Sequence, residues 1–290
     1  MDLTKVQPSA SPSKVSPRHE KISDFVLDKQ IKVRKDVNGI AVTQNNVILL
    51  ALGAASRGGI GRLDIETTEL TVHHSGTVYR QITVANDGTV LASTRDSIYI
   101  YPPDNLEHEH TEIKLDVPVW GLCQTPDSEL LFGSVNNKRV YRRRDEQTST
   151  VVKRSNENKL QSVWSLASIA QKLFISDRKK RQVVCTGLDG KFLWRQKLGR
   201  PFPKYSKALE DMANDYAGGI CVHSNGNVLV CDTPNNRLTE LSPDGIISHH
   251  SNLDLDKPAY VAANGGFIAI VNDATLLDCT LKVFRQSTTL

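Results

Sequence analysis

Two kinds of side chain in this sequence could carry chemistry, cations in short runs and tryptophans close to them. Arg178, Lys179, Lys180 and Arg181 form one run, Lys138 and Arg139 close the segment NNKR, and Arg237 closes NNR. Trp120 and Trp164 each open a short apolar segment, and Arg80 opens a third. Guanidinium and ammonium groups neutralise phosphates, while an indole offers a face on which a base stacks. Two readings stand for these residues. In one, loop cations are simply solvated and each indole packs over a core. In the other, they form a platform for an anionic partner.

Other reactive types are present in patterns that do less. His73–His74, His249–His250 and the run EHEH at 107–110 contain metal-ligand types, since alternate histidines on a strand can chelate zinc. The two histidine pairs belong to separated repeat units, and EHEH reads as a solvated acidic loop. The five cysteines, at 123, 185, 221, 231 and 279, are odd in number and contain no CxxC, which excludes a disulfide scaffold, a zinc finger and a RING. Cys123, Cys221 and Cys231 read as small buried hydrophobes. There is no GxSxG, HExxH or P-loop. No metal or other cofactor is expected.

These residues need elements to position them. The chain has 290 residues, 39% hydrophobic and 23% charged, with a formal net charge of +4, an ordinary globular composition. The longest apolar run, Val47 to Leu52, is far too short for a membrane-spanning helix. The N-terminus, MDLTKVQPSASPSK, has no hydrophobic signal core, so the expected compartment is cytoplasmic. Residues 1–21, with three prolines and few large apolar groups, read as a disordered tail. From residue 22 to 290, short runs rich in Val, Ile and Leu alternate with turn signals such as NDG, LDG, SNGN and PDG, the pattern of an all-β fold.

Internal repetition sets the architecture. Residues 218–250, GGICVHSNGNVLVCDTPNNRLTELSPDGIISHH, parse as four strands, and related segments begin at Asn38, Arg80, Trp120, Trp164 and Ala259. Anchored on Ile40, Ile82, Leu122, Leu166, Ile220 and Val261, the units repeat at spacings of 42, 40, 44, 54 and 41 residues. Six units of four antiparallel strands predict a six-bladed β-propeller. The long step holds an insertion at 199–217 in which Ala208, Leu209, Met212, Ala213 and Tyr216 share one helical face after Ser206, predicting a short helix. The last unit lacks an outer strand and Phe25–Val33 lacks a unit, so the N-terminal strand is expected to close the ring.

This frame sorts the charges. Loops joining second to third strands share the top face with the connections between blades, and they carry Arg57, Arg62, Arg95, Lys138, Arg139, Arg178–Arg181 and Arg237. Loops joining third to fourth strands lie on the bottom, with Asp64, Glu66, Glu69, Asp104, Glu107, Glu109, Asp189 and Asp244. A basic top and an acidic bottom are expected. A propeller hydrolase of the gluconolactonase type needs carboxylates converging on the channel mouth, and none stands in the two positions before any anchor.

The segment GGICVHSNGNVLVCDTPNNRLTELSPDG resembles the NHL repeat, with G-I-x-V, a turn, N-V-x-V-x-D-T-x-N-N-R and an outer D-G turn. NNKR at 136–139 and Asp177 repeat parts of it. The resemblance implies an NHL (TolB-like) six-bladed propeller such as stands at the C-terminus of tripartite-motif (TRIM) proteins. It further implies a non-catalytic recognition module for a protein or single-stranded RNA, at times recruiting substrates for a ubiquitin ligase. RING and B-box ligands are absent, so the chain itself is not the ligase catalyst. The candidate partner-binding residues are Arg80, Trp120, Lys138, Arg139, Trp164, Arg178, Lys179, Lys180, Arg181 and Arg237. Neither a membrane nor DNA is an expected partner, and a propeller hydrolase is the alternative.

Overall fold

A computed structural model describes residues 22–33, 35–103, 105–107, 110–198, 218–251, 253–272 and 279–287. The expected tail at 1–21 and the expected helix at 199–217 lie outside the described residues. Strand β1 (Phe25–Val33) precedes the first blade, which holds β2 (Val37–Val42), β3 (Ile48–Leu52), β4 (Gly59–Leu63) and β5 (Leu70–His73). Blade two holds β6 (Gln81–Val84), β7 (Val90–Ser93), β8 (Ser97–Tyr101) and β9 (Thr111–Lys114). Blade three holds β10 (Leu122–Gln124), β11 (Leu130–Ser134), β12 (Arg139–Arg144) and β13 (Gln147–Lys153). Blade four holds β14 (Ser165–Ile169), β15 (Lys172–Asp177), β16 (Gln182–Gly187) and β17 (Phe192–Lys197). Blade five holds β18 (Ile220–Val222), β19 (Val228–Asp232), β20 (Arg237–Leu241) and β21 (Ile247–His250). Blade six holds β22 (Pro258–Asn264), β23 (Phe267–Asn272) and β24 (Cys279–Gln286).

Each blade is a four-stranded antiparallel sheet, and the sixth is completed by β1 in the order β1-β24-β23-β22. The register runs from Phe25 opposite Gln286 to Val33 opposite Cys279. The orphan strand at one end of the chain thus fills the gap at the other, and the ring closes without a covalent joint.

The apolar patterns follow from blade packing. In β15, Leu173 and Ile175 face the core between blades three and four, while Phe174 faces the core between blades four and five. A middle strand is covered on both sides, so its apolar residues run without alternation. The outer strand β17 has a neighbour on one side only, and Phe192 to Lys197 alternates half-buried with exposed. Apolar clusters of this kind fill the interface between every pair of neighbouring blades. The burial of their branched side chains is the main driving force for the fold.

The turn between second and third strands is built alike in blades four and five. A buried aspartate ends the second strand, a 3₁₀ turn follows, and one residue adopts the left-handed conformation. In blade five Asp232 accepts from Asn235 Nδ2 and from Arg237 Nε at 2.9 Å, and Asn236 takes φ 51°. Thr233 Oγ1 donates to Pro258 O at 2.6 Å, tying the turn to blade six. Asn236 Oδ1 accepts from Lys257 N at 3.0 Å, so the polar residues of the DTPNNR signature all take part in holding the turn and its junction to blade six. In blade four, Arg178–Lys180 and Arg181 occupy the same turn.

Candidate functional site

Four main-chain N–H groups show which residues are equivalent at the top of the innermost strands. Arg80 N donates to Ser93 O, Trp120 N to Gly133 O, Trp164 N to Ser176 O and Gly218 N to Cys231 O. Each bond joins the entry of a first strand to the end of its second strand. Arg80, Trp120 and Trp164 therefore stand side by side over blades two, three and four.

Their side chains form one stack. The Trp120 and Trp164 rings lie 4.7 Å apart at 29°. The Arg80 guanidinium sits 4.2 Å from the Trp120 ring centre, and that of Arg178 sits 4.1 Å from the Trp164 ring centre. Both contacts have cation–π geometry. Gly121 permits the approach, because a Cβ there would lie 2.9 Å from Leu166 Cγ and 3.3 Å from the Ser165 backbone. Each indole thus has the other indole and a guanidinium beside it. All four side chains remain half-buried at the surface.

The RKKR turn is held from below. Asp177 is fully buried, and its oxygens accept from Gln161 N at 2.9 Å, Ser162 N at 3.1 Å, Lys180 N at 3.3 Å and Gln182 Nε2 at 3.2 Å. Burial pushes its pKa up against the opposing pull of these donors. One carboxylate thereby fixes both the basic turn and the connection from blade three.

Above it, Lys179 and Lys180 are exposed, as are Arg139, Arg154 and Lys159, and Lys138 is half-buried. None of these six makes a salt bridge or side-chain hydrogen bond to a described residue. Arg154 and Lys159, on the connection between blades three and four, were not singled out from sequence. Their signal was the basic composition of KRSNENK between two recognised units. Arg237 differs, because its Nε is committed to Asp232. Arg181 takes φ 49° and Lys138 φ 53°, at equivalent corners of neighbouring blades. Arg62 lies within β4 rather than in a top loop.

Bottom-face charges are largely paired or used in turns. Glu129 meets Arg142 at 3.0 Å and Arg144 at 3.4 Å, Asp244 meets Lys172 at 2.8 Å, and Glu66 meets Arg285 at 2.7 Å. Asp64 and Asp189 accept from backbone N–H groups in their own turns. Asp104 and Glu109 lie outside the described residues. Among the described residues, six cations without a salt bridge thus lie over the top of blades three and four.

The central channel is a cavity of about 360 Å³, and none of the described residues lining it is charged. Its amides stitch blades together: Gln44 Nε2 donates to Asn86 O and Asn264 Nδ2 to Thr43 O. Burial pushes the Cys123, Cys185 and Cys221 thiols up to about 12, so they are protonated and poorly nucleophilic at neutral pH. Sequence treated the histidine segments separately, but two of them meet. His73 Nδ1 lies 3.8 Å from Glu107 Oε1, and the His74 and His110 rings are 5.4 Å apart. Among the described residues, no group of three or more His, Cys, Asp or Glu could hold a metal ion. Among the described residues, no helix is long and apolar enough to cross a membrane.

Comparison with known proteins agrees with this architecture. The family model of the NHL repeat matches residues 214–241, which include β18, β19 and β20. No curated protein matches the chain by sequence. Among solved structures, selenomethionine-substituted virginiamycin B lyase from Staphylococcus aureus is similar at a TM-score of 0.61 and 11% identity, covering 89% of this chain and 99% of the lyase. The PQQ-bound aldose sugar dehydrogenase of Streptomyces coelicolor is similar at a TM-score of 0.60 and 14% identity, covering 90% and 97%. The WD40 propeller domain of Doa1 is similar at a TM-score of 0.60 and 11% identity, covering 91% and 98%. A lyase, a dehydrogenase and a WD40 propeller domain are thus all similar in fold, and at these identities the likeness concerns fold alone. Sequence match and geometry converge on a six-bladed β-propeller whose fifth blade carries an NHL repeat.

Proposed function

We propose that this protein is a non-catalytic recognition module that binds single-stranded RNA across the top of blades three and four. The observation that carries the reading is the group of six unpaired cations there, beside two guanidinium groups that sit 4.2 and 4.1 Å from indole ring centres. Phosphates are neutralised by the lysines and arginines, and unstacked bases lie on the guanidinium planes, which stack bases as aromatic rings do. A protein partner would need apolar anchors at the centre of the contact. Among the described residues, the exposed large hydrophobic ones are Val26, Leu27, Val78, Leu193, Ile246 and Ile247, none of them in the top loops of blades three or four. A hydrolase of the gluconolactonase type would need carboxylates at the channel, and the described channel lining carries none.

Fluorescence anisotropy with a randomised single-stranded RNA pool at low and moderate salt tests this. Binding is expected to weaken steeply with salt, and the double reversal Lys179→Glu/Lys180→Glu to weaken it at least tenfold for all sequences. That variant should also flatten the logarithmic salt slope by about 1.4, at about 0.7 per phosphate contact on a single strand. Absence of salt-dependent binding even at low ionic strength overturns the RNA reading and leaves an acidic protein partner.

A further inference from the structure

The connection from blade three to blade four crosses the top face as a rigid loop. Asn158 is buried within it, accepting from Ser155 N at 2.9 Å and Leu160 N at 3.1 Å and donating to Lys153 O at 2.8 Å. Gln182 Nε2 donates to Asn158 O at 3.3 Å, and Asp177 holds Gln161 N and Ser162 N. Lys159 takes φ 52° at the tip. This framework surrounds a concavity of about 540 Å³ lined by Arg154, Ser155, Asn156, Lys159, Gln161 and Lys180.

The lining has the donor set of an anion site. Three cations converge from two segments, and none is neutralised by a described residue. Ser155 Oγ already accepts from Glu157 N and Asn158 N at 3.2 Å, so its hydroxyl proton is left to donate outward. The carboxylates nearby do not compete. Glu157 does not line the concavity, and Asp177 is buried with its oxygens occupied.

We propose that this concavity is a phosphate-binding subsite, taking a terminal or internal phosphate of the RNA strand. The inference rests on the RNA reading but is tested separately from it. Arg154, Lys159 and Lys180 supply charge, and Ser155, Asn156 and Gln161 supply neutral donors. Together they recognise a phosphate by the number and direction of its oxygens rather than by charge alone.

Two probes decide it, both with the full chain. Inorganic pyrophosphate should raise the melting temperature of the wild type in the millimolar range. In Arg154→Gln/Lys159→Gln, whose two residues are exposed, it should act only at about tenfold higher concentration. The same variant should bind single-stranded decamers at least fivefold more weakly. A control, Lys32→Gln/Lys191→Gln, removes equal charge away from the face and should match the wild type. A preference for 5′-phosphorylated over 5′-hydroxyl decamers, lost in the variant, assigns a terminal phosphate. Equal binding of the two by the wild type assigns an internal one. Pyrophosphate acting equally on variant and wild type, or not at all on the wild type, overturns the subsite. A variant that loses pyrophosphate but binds RNA unchanged overturns its assignment to the strand. Pyrophosphate binding without any RNA binding contradicts the RNA reading and leaves an anion site.

Discussion

At the scale of single residues, the indoles act through the guanidiniums they orient. Trp164 packs beside Trp120 and Arg178, so Trp164→Ala should remove the ring against which the Arg178 guanidinium sits and weaken RNA binding about three- to tenfold with little change in salt slope. Arg178→Lys should lose a similar amount, because an ammonium keeps the charge but not the planar face. Anisotropy titrations at two salt concentrations separate these outcomes from the charge reversals. A second expectation concerns His73 and His250, whose pKa values burial lowers from the usual value of 6.5. Each binds protons more weakly in the fold than in the unfolded chain. Their contribution is full above pH 6.5 and is lost as pH falls through 6.5 toward their lower folded values. The melting temperature should therefore drop on acidification from pH 7 to pH 5, and less so in His73→Gln.

At the scale of elements, the two-to-three turn is where structure and recognition divide. In blade five its polar residues are spent on Asp232, Pro258 and the corner at Asn236, while in blade four the same turn presents arginine and lysine. Asp177→Asn leaves one amide group facing donors that a carboxylate oxygen now accepts. It should cost about 1–3 kcal/mol, read by denaturant unfolding, through unsatisfied N–H groups. The blades were legible in the sequence because doubly covered strands such as β15 need continuous apolar runs, and because the turns between them need Gly, Asn and Asp. The site was legible only in part. RKKR, NNKR and the two tryptophans stood out as types, but the mutual stacking of the indoles depends on a crossing geometry set by Gly121 and its neighbours. Arg154 and Lys159 escaped notice because blade connections have no repeat register against which a cation looks out of place. The meetings of His73 with Glu107 and of His74 with His110 escaped for a related reason, since contacts between outer parts of neighbouring blades are not written in the inner-strand repeat.

At the scale of the whole molecule, closure by β1 makes the ring depend on a strand remote in sequence from its partner. Deleting residues 1–34 removes β1 together with Phe25 and Val33, two buried core residues. It also exposes the full edge of β24. The truncated chain should melt well below the full chain or fail to fold, whereas removing residues 1–21 spares β1 and should shift the midpoint little. Thermal unfolding followed by circular dichroism compares the three chains.

The closed ring also brings six cations without a salt bridge together over two adjacent blades on top. The central claim is that single-stranded RNA lies on those blades. Ultraviolet crosslinking of the full chain to a randomised single-stranded RNA pool, with crosslinked peptides located by mass spectrometry, addresses both ligand and place. Crosslinks are predicted at Trp120, Trp164, residues 154–161 and residues 178–181. Crosslinks confined to the bottom loops or to the outer strands of other blades, or none at low ionic strength, would contradict the account.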